Sequence, residues 1–297
     1  MLKCILEKEV FNGSTIEEHY LFLSLQNVIM GFDMNGGYET VFLSDKLSNM
    51  INFHYNYQTK QLLIYNTSGH AYLYQMPEGK RLLTKLYLKA DYLNPDSIVY
   101  SGNYYWYPDN KFCLRRLDAK TGKTKLILKD KERVVTNLVQ SNNKIYIFTE
   151  MRKYEEGYVK ILCYCIDENG ELKYESEWGE RPYVSMSKIK KDLDNDTIIV
   201  EGLTNTKYVG DYFLIFEPQN RKFIPIYPVS EETFDIHTIL DKNKIIISNM
   251  QSVKVIDIPS RKVLAEYKTL GTIYNAILIT SDKGVIFTSN GVYEFVL

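Results

Sequence analysis

Lys244-Ile245-Ile246-Ile247-Ser248, then a turn from Asn249 to Ser252, then Val253-Lys254-Val255-Ile256-Asp257-Ile258: this stretch decides the fold. Pro259-Ser260-Arg261 turns the chain again, and Lys262-Val263-Leu264-Ala265-Glu266-Tyr267 follows. The runs are short and rich in β-branched residues, which suit a pleated, half-buried surface. Turn-forming residues separate them. Upstream, Phe234-Asp235-Ile236-His237-Thr238-Ile239-Leu240 alternates apolar and polar side chains as a strand does. Together they read as a four-stranded meander, with strands A, B, C and D in chain order.

The same grammar recurs along the chain. Taking the end of each C strand as an anchor gives Asp33, Met76, Asp118, Asp167, Glu217, Asp257 and Val296. These are separated by 43, 42, 49, 50, 40 and 39 residues. A period near 40–45 with four strands per unit is the signature of a β-propeller. The turns after the anchors fit. Asn35-Gly36-Gly37, Pro77-Glu78-Gly79, Lys120-Thr121-Gly122-Lys123 and Glu168-Asn169-Gly170 supply the positive φ that tight hairpins need. Gln219-Asn220-Arg221 and Pro259-Ser260-Arg261 are looser versions.

The expected fold is therefore all-β, a single propeller domain over residues 1–297 with seven four-stranded antiparallel blades. Six or eight blades fit the same grammar. The last C strand, Gly291 to Leu297, ends the chain without a D strand. The run Lys3 to Val10 can supply it and close the ring, which protects the edge. The competing reading makes residues 2–11 the A strand of the first blade. No window carries a sustained helical apolar stripe. The best helix candidates, Glu17-Glu18-His19 and Ser185 to Lys191, are short.

Composition bounds the function. The 297 residues are 45% hydrophobic and 25% charged, which excludes wholesale disorder. A net charge of −1 leaves no electrostatic footprint for nucleic acid or an anionic membrane. Charges at Lys3, Glu7, Lys8 and Glu9 break any signal-peptide apolar run, and no window approaches a membrane span. Cys4, Cys113, Cys163 and Cys165 form no disulfide framework. A cytoplasmic monomer is expected.

The Asp118-Ala119-Lys120-Thr121-Gly122-Lys123 turn resembles the C–D turn of the bacterial propeller superfamily with quinoprotein-like and YVTN-type repeats. Ile256 to Val263 and Asp167 to Leu172 are similar to it, more loosely. The resemblance implies the fold and no activity. Tryptophan–aspartate repeats are excluded, because neither Trp106 nor Trp178 precedes an Asp. Kelch repeats are excluded by a single Gly-Gly, Gly36-Gly37, and the sialidase-type Asp box is absent. No stacking Trp repeat marks a quinone, so no cofactor is expected.

Candidate sites divide unevenly. Cys163 and Cys165 share a strand face and read as half a metal site or, more economically, as two buried core residues. Asp192-Leu193-Asp194-Asn195-Asp196 opens like a calcium loop, but Thr197 and Leu203 stand where Gly and Glu belong. His19, His54, His70 and His237 each stand alone, so no catalytic residue and no metal ligand is assigned. Tyr104-Tyr105-Trp106-Tyr107 is the densest aromatic run and reads as B-strand core rather than a stacking platform.

Loop length points elsewhere. The B–C connections of the fourth and fifth blades are the long ones, and they belong to neighbouring blades on one face. They carry Arg152, Lys153, Tyr154 and Tyr158, and Asn205, Lys207 and Tyr208. Tyr and Arg are typical interface anchors. These seven residues are the expected binding lip for a protein partner, and the expected function is a non-catalytic interaction scaffold. The second reading is a lactonase-like propeller enzyme or small-ligand binder with its site at the central channel.

Overall fold

Turn chemistry cuts this chain into short strands. At Asp118 the side-chain Oδ1 accepts the backbone N–H of Lys120 at 2.8 Å and of Thr121 at 2.9 Å. Gly122 then takes φ +70°, and its N–H reaches Asp118 O at 2.9 Å. Only a residue without Cβ enters that region at no cost. Backbone donors stabilise the ionised carboxylate, so they hold Asp118 below the usual carboxylate range, the Thr121 N–H first and the Lys120 N–H second.

The computed structural model describes residues 3–6, 14–17, 19–25, 27–37, 39–48, 51–56, 58–90, 97–141, 144–151, 161–166, 171–178, 185–191, 198–203, 212–226, 235–241, 244–249, 251–257, 259–260, 262–269, 271–278 and 282–297. The first strand is β1 (Lys3–Leu6). The first sheet follows with β2 (Ser14–Glu17), β3 (Tyr20–Leu25), β4 (Val28–Asp33) and β5 (Glu39–Leu43). The second comprises β6 (Ile51–Asn56), β7 (Gln61–Asn66), β8 (His70–Gln75) and β9 (Lys80–Tyr87). The third comprises β10 (Val99–Ser101), β11 (Tyr104–Pro108), β12 (Leu114–Asp118) and β13 (Thr124–Leu128). The fourth comprises β14 (Arg133–Ser141), β15 (Lys144–Met151), β16 (Ile161–Ile166) and β17 (Leu172–Trp178).

The fifth sheet comprises β18 (Ser185–Lys191), β19 (Ile198–Leu203), β20 (Tyr212–Glu217) and β21 (Lys222–Ile226). The sixth comprises β22 (Asp235–Asp241), β23 (Lys244–Ser248), β24 (Ser252–Asp257) and β25 (Lys262–Lys268). The seventh comprises β26 (Ile273–Leu278), β27 (Lys283–Thr288) and β28 (Gly291–Val296), with β1 as its fourth strand. β1 runs antiparallel to β28, with Lys3 opposite Glu294 and Cys4 opposite Tyr293.

The third strand of the repeat ends at Asp33, Asp118, Glu217, Asp257 and Val296, as the spacing implied. It ends at Gln75 and Ile166 in the second and fourth sheets, one residue short of the expected anchors. The reading of residues 2–11 as the opening strand of the first sheet is overturned, because β2 fills that place and β1 pairs with β28. Neither helix candidate forms one: Glu17 closes β2 and Ser185–Lys191 is β18. There is no α-helix among the described residues.

The chain divides into two compact units. One holds Met1–Pro95, Ile245–Asp257 and Lys262–Leu297, and the other holds Asp96–Lys244 and Ile258–Arg261. In the first unit, Phe22 of β3 packs 5.1 Å from Tyr55 and 6.0 Å from Phe53 of β6, ring to ring. Leu21, Leu23 and Phe32 meet Val285, Phe287 and Val292 of the seventh sheet. In the second unit, Trp106 and Leu114 pack against Ile145, Ile147 and Ile166. Phe148 and Phe216 meet edge-on at 5.9 Å, joining the fourth and fifth sheets. Side chains of this size stabilise by about 1.5–3 kcal/mol each when fully buried. Among the residues whose side chains are described, most aromatics are buried in the core.

The outermost ladder has a second regularity. Val41, Leu82, Ile127, Glu175 and Leu264 are each an extra residue in the last strand of their sheet, opposite no single partner. Such bulges twist an exposed edge away from further pairing.

Candidate functional site

The seven residues of the expected lip lie outside the described residues. The strands on either side of them are described. Residues 152–160 join β15 to β16 and residues 204–211 join β19 to β20, in sheets that pack together through Phe148 and Phe216. By contrast only 26–27 separate β3 from β4, and 289–290 separate β27 from β28.

A third long connection joins β11 to β12 in the neighbouring third sheet, across residues 109–113. Pro108 closes β11, and the turn runs from Asp109 to Cys113. Asp109 organises it. Its Oδ1 accepts Lys111 N–H at 2.8 Å and Cys113 N–H at 2.9 Å, and its Oδ2 accepts Arg115 Nε–H at 2.6 Å. The carboxylate is buried, at 2% side-chain exposure, so the Arg115 charge compensates it.

Phe112 sits at the tip of this turn with φ +57° and 52% exposure. Lys60, Asn103 and Arg221 share that backbone region, and Phe112 is the aromatic among them. Its N–H reaches Asp109 O at 2.8 Å, and its carbonyl accepts Val135 N–H of β14 at 2.9 Å. A left-handed conformation costs an ordinary L-residue roughly 1–2 kcal/mol. The turn holds the ring out in water in spite of that cost.

Beside it lies a shallow, open cleft of about 60 Å³, lined by Leu128, Arg133, Val134, Val135, Tyr164 and Leu172, with Asp130 and Thr149 at its polar side. Arg133 Nε donates to Thr149 Oγ1 at 2.9 Å and Nη2 to Thr149 O at 3.4 Å. Burial lowers the guanidinium pKa, and Tyr164, Asp130, Glu177 and Glu132 oppose that shift. An arginine remains charged under such a shift. Arg133 stands opposite Met151 in the β14–β15 ladder, so the cleft lies at the root of the 152–160 connection.

The remaining candidates resolve into structure. Tyr105, Trp106 and Tyr107 are buried, and Trp106 Nε1 donates to Ser101 O at 3.3 Å. Arg116 lies 4.2 Å over Tyr104 and 5.7 Å over Trp106, capping the run with a cation. Cys163 and Cys165 are buried in the cluster joining the fourth and fifth sheets. His19 lies against Tyr20 with tilted rings 4.0 Å apart, and His70 meets Tyr87 edge-on at 5.8 Å. Among the described residues no three His, Cys, Asp or Glu side chains converge as a metal site. The run from Asp192 to Asp196 and the side chain of His237 lie outside the described residues.

Sequence reasoning missed Phe112 and the Arg133 cleft. The available signal was Asp109, an Asp whose carboxylate can cap two N–H groups of a turn that has no Gly to take the positive φ.

No family model matches the chain, and no curated protein does. Solved structures do. The β-propeller domain of Myceliophteria thermophila Cps50 (Swd1) superposes with a TM-score of 0.72 at 8% identity, over 98% of this chain and 98% of that one. U3-55K gives 0.67 at 11% identity over 100% of this chain and 98% of its own. The computationally designed Ika8 protein gives 0.61 at 10% identity over 97% and 98%. Likeness at such identities carries the fold and no activity. The four-stranded meanders and these neighbours together identify the fold of this chain as a β-propeller.

Proposed function

We propose that this chain is a single propeller domain over residues 1–297, with seven blades and β1 closing the ring. It serves in the cytoplasm as a non-catalytic scaffold for a protein partner. The partner docks on the rim that carries Arg152, Lys153, Tyr154, Tyr158, Asn205, Lys207 and Tyr208. One observation carries the reading: the long connections 109–113, 152–160 and 204–211 all join the second strand to the third, in consecutive sheets. Loops are where a rigid scaffold places binding residues. A formal charge of −1 favours a protein partner over nucleic acid. Free cysteines at Cys4, Cys113, Cys163 and Cys165 suit a reducing compartment.

The experiment shortens each connection separately, replacing 152–160 and 204–211 by Asn-Gly. Both forms are expected to melt near the wild-type temperature and to lose a partner that co-purifies from native cells. Retention of the same partner by both shortened forms overturns the rim assignment.

A further inference from the structure

We propose that this chain forms a two-fold dimer in which Phe112 of each copy enters the Arg133 cleft of the other. The inference does not rest on the scaffold reading or on the 152–160 and 204–211 connections.

Phe112 is costly twice over. Its backbone is in the left-handed region, and half of a large apolar ring faces water. Asn at this position removes both costs, because it tolerates that region and is polar. Strain that persists under so many fixing hydrogen bonds is a pointer to function. Asp109, Arg115 and the Val135 N–H over-determine the turn, so the ring is presented without an ordering penalty on contact.

The cleft has the chemistry to receive an aromatic ring. Leu128, Val134, Val135 and Leu172 supply apolar walls, and Tyr164 supplies a ring. The Arg133 guanidinium is held by two hydrogen bonds to Thr149 and is partly buried. A weakly hydrated guanidinium gains most from an aromatic face. The chain carries the fitting group at the cleft's own edge, since the Phe112 carbonyl is bonded to Val135. A knob beside its matching hole is self-complementary, which is the property of a two-fold interface.

The charges agree with a second copy rather than a strongly acidic or basic partner. The border of the cleft reads Lys129-Asp130-Lys131-Glu132, alternating in sign. Across a two-fold axis the run meets itself reversed, so each Lys faces a carboxylate. With one anchor per copy the contact is small, and the dimer is a weak one.

The test is sedimentation velocity on the full chain from about 1 to about 300 µM, a range that spans weak dimers. Wild type is expected to gain mass with concentration. Phe112→Asn removes the knob and keeps the cleft. Leu172→Lys puts a charge at the cleft mouth and keeps the knob. Each is expected to weaken self-association by about tenfold or more, as loss of a central anchor does. An equimolar mixture restores one knob-in-hole contact of the two, so it is expected to associate more tightly than either variant alone. A wild type that stays monomeric throughout overturns the proposal. So does a Phe112→Asn chain that dimerises like wild type, or a mixture no tighter than its components.

Discussion

Cys165 Sγ donates to Glu175 Oε1 across 2.9 Å in the interior of the second unit. Glu175 is the bulged residue of β17: Cys163 pairs with Ser176 and Tyr164 with Tyr174, leaving Glu175 opposite no one residue. The bulge sends its carboxylate inward, to 5% side-chain exposure, where Oε2 meets Arg221 Nε at 3.0 Å. Arg221 belongs to the turn between β20 and β21, so one carboxylate ties the fourth sheet to the fifth. Replacing Glu175 by Ala removes the thiol's acceptor and the cation's partner together. A hydrogen bond to a charged group contributes about 1.5–3 kcal/mol. The Glu175→Ala chain is expected to lose that much in urea unfolding. Arg221→Ala should lose less, because the Arg221 side chain is 65% exposed and water screens it.

The same pocket sets thiol reactivity. Burial pushes the Cys163 thiol well up, and the Glu175 carboxylate and Cys165 push it further. The thiolate is the nucleophile, so a buried thiol of raised pKa is inert. Cys113, Cys163 and Cys165 are buried and Cys4 is exposed. A thiol-specific dye is expected to label one cysteine quickly in the native chain, and all four only after unfolding. Rapid native labelling of Cys163 or Cys165 contradicts this packing.

In the first unit, Tyr74 Oη donates to Asp45 Oδ2 at 2.9 Å, and Arg81 Nη1 donates to the same oxygen at 2.7 Å. Burial and then this hydrogen bond push the Tyr74 pKa up to about 12 from 10.0. The folded pKa is raised above the unfolded value, so the contribution to stability is complete below pH 10 and fades as pH rises through about 12. Wild type is expected to lose stability across that interval. A Tyr74→Phe chain, which has no phenol to ionise there, should lose less. Denaturant midpoints measured at intervals above pH 9 distinguish the two; parallel slopes sink the assignment.

Gly284 of β27 owes its identity to a close approach rather than a turn. A Cβ there falls onto the ring of Phe295, which is fully buried, and 2.8 Å from Ile277 O. Neither neighbour has room to give: one is core and the other backbone. Gly284→Ala is expected to cost about 1–3 kcal/mol as an overpacked site, read as a lowered denaturant midpoint. An unchanged midpoint means that β26 and β28 are less closely held than their ladders imply.

The repeat was legible because it rests on chemistry that sequence displays. Gly122 and Asp118 mark a turn by type, and Ile245 to Ile247 mark a strand by branching. The bulges were not legible. Val41, Leu82, Ile127, Glu175 and Leu264 share no side-chain type, only a place in the outer ladder, and that place is set by pairing across strands. Phe112 was missed for a related reason. Its exposure depends on an Asp109 cap and on Val135 arriving from the next sheet. Cys163 and Cys165 were legible as a shared buried face, but Glu175 lies ten residues beyond Cys165 and its inward turn is a product of the bulge.

The pairing of β1 with β28 joins the two ends of the sequence, and it has a direct test. Leu6 stands opposite Val292, and Ile5 packs against the cluster holding Leu21, Leu23 and Val285. A chain that begins at residue 11 lacks β1, so the outer edge of β28 loses its hydrogen-bond partners. Unpaired edges pair with other chains. That chain is expected to melt lower by about 5 °C or more and to aggregate as it does so. A synthetic peptide of residues 1–10, supplied in trans, should recover part of the loss, because a ligand that binds the folded state alone stabilises it by mass action. The peptide with Cys4→Pro, which lacks one backbone donor on that edge, should recover less. If removal of residues 1–10 leaves the melting temperature unchanged, β1 contributes little and the seventh sheet stands on three strands.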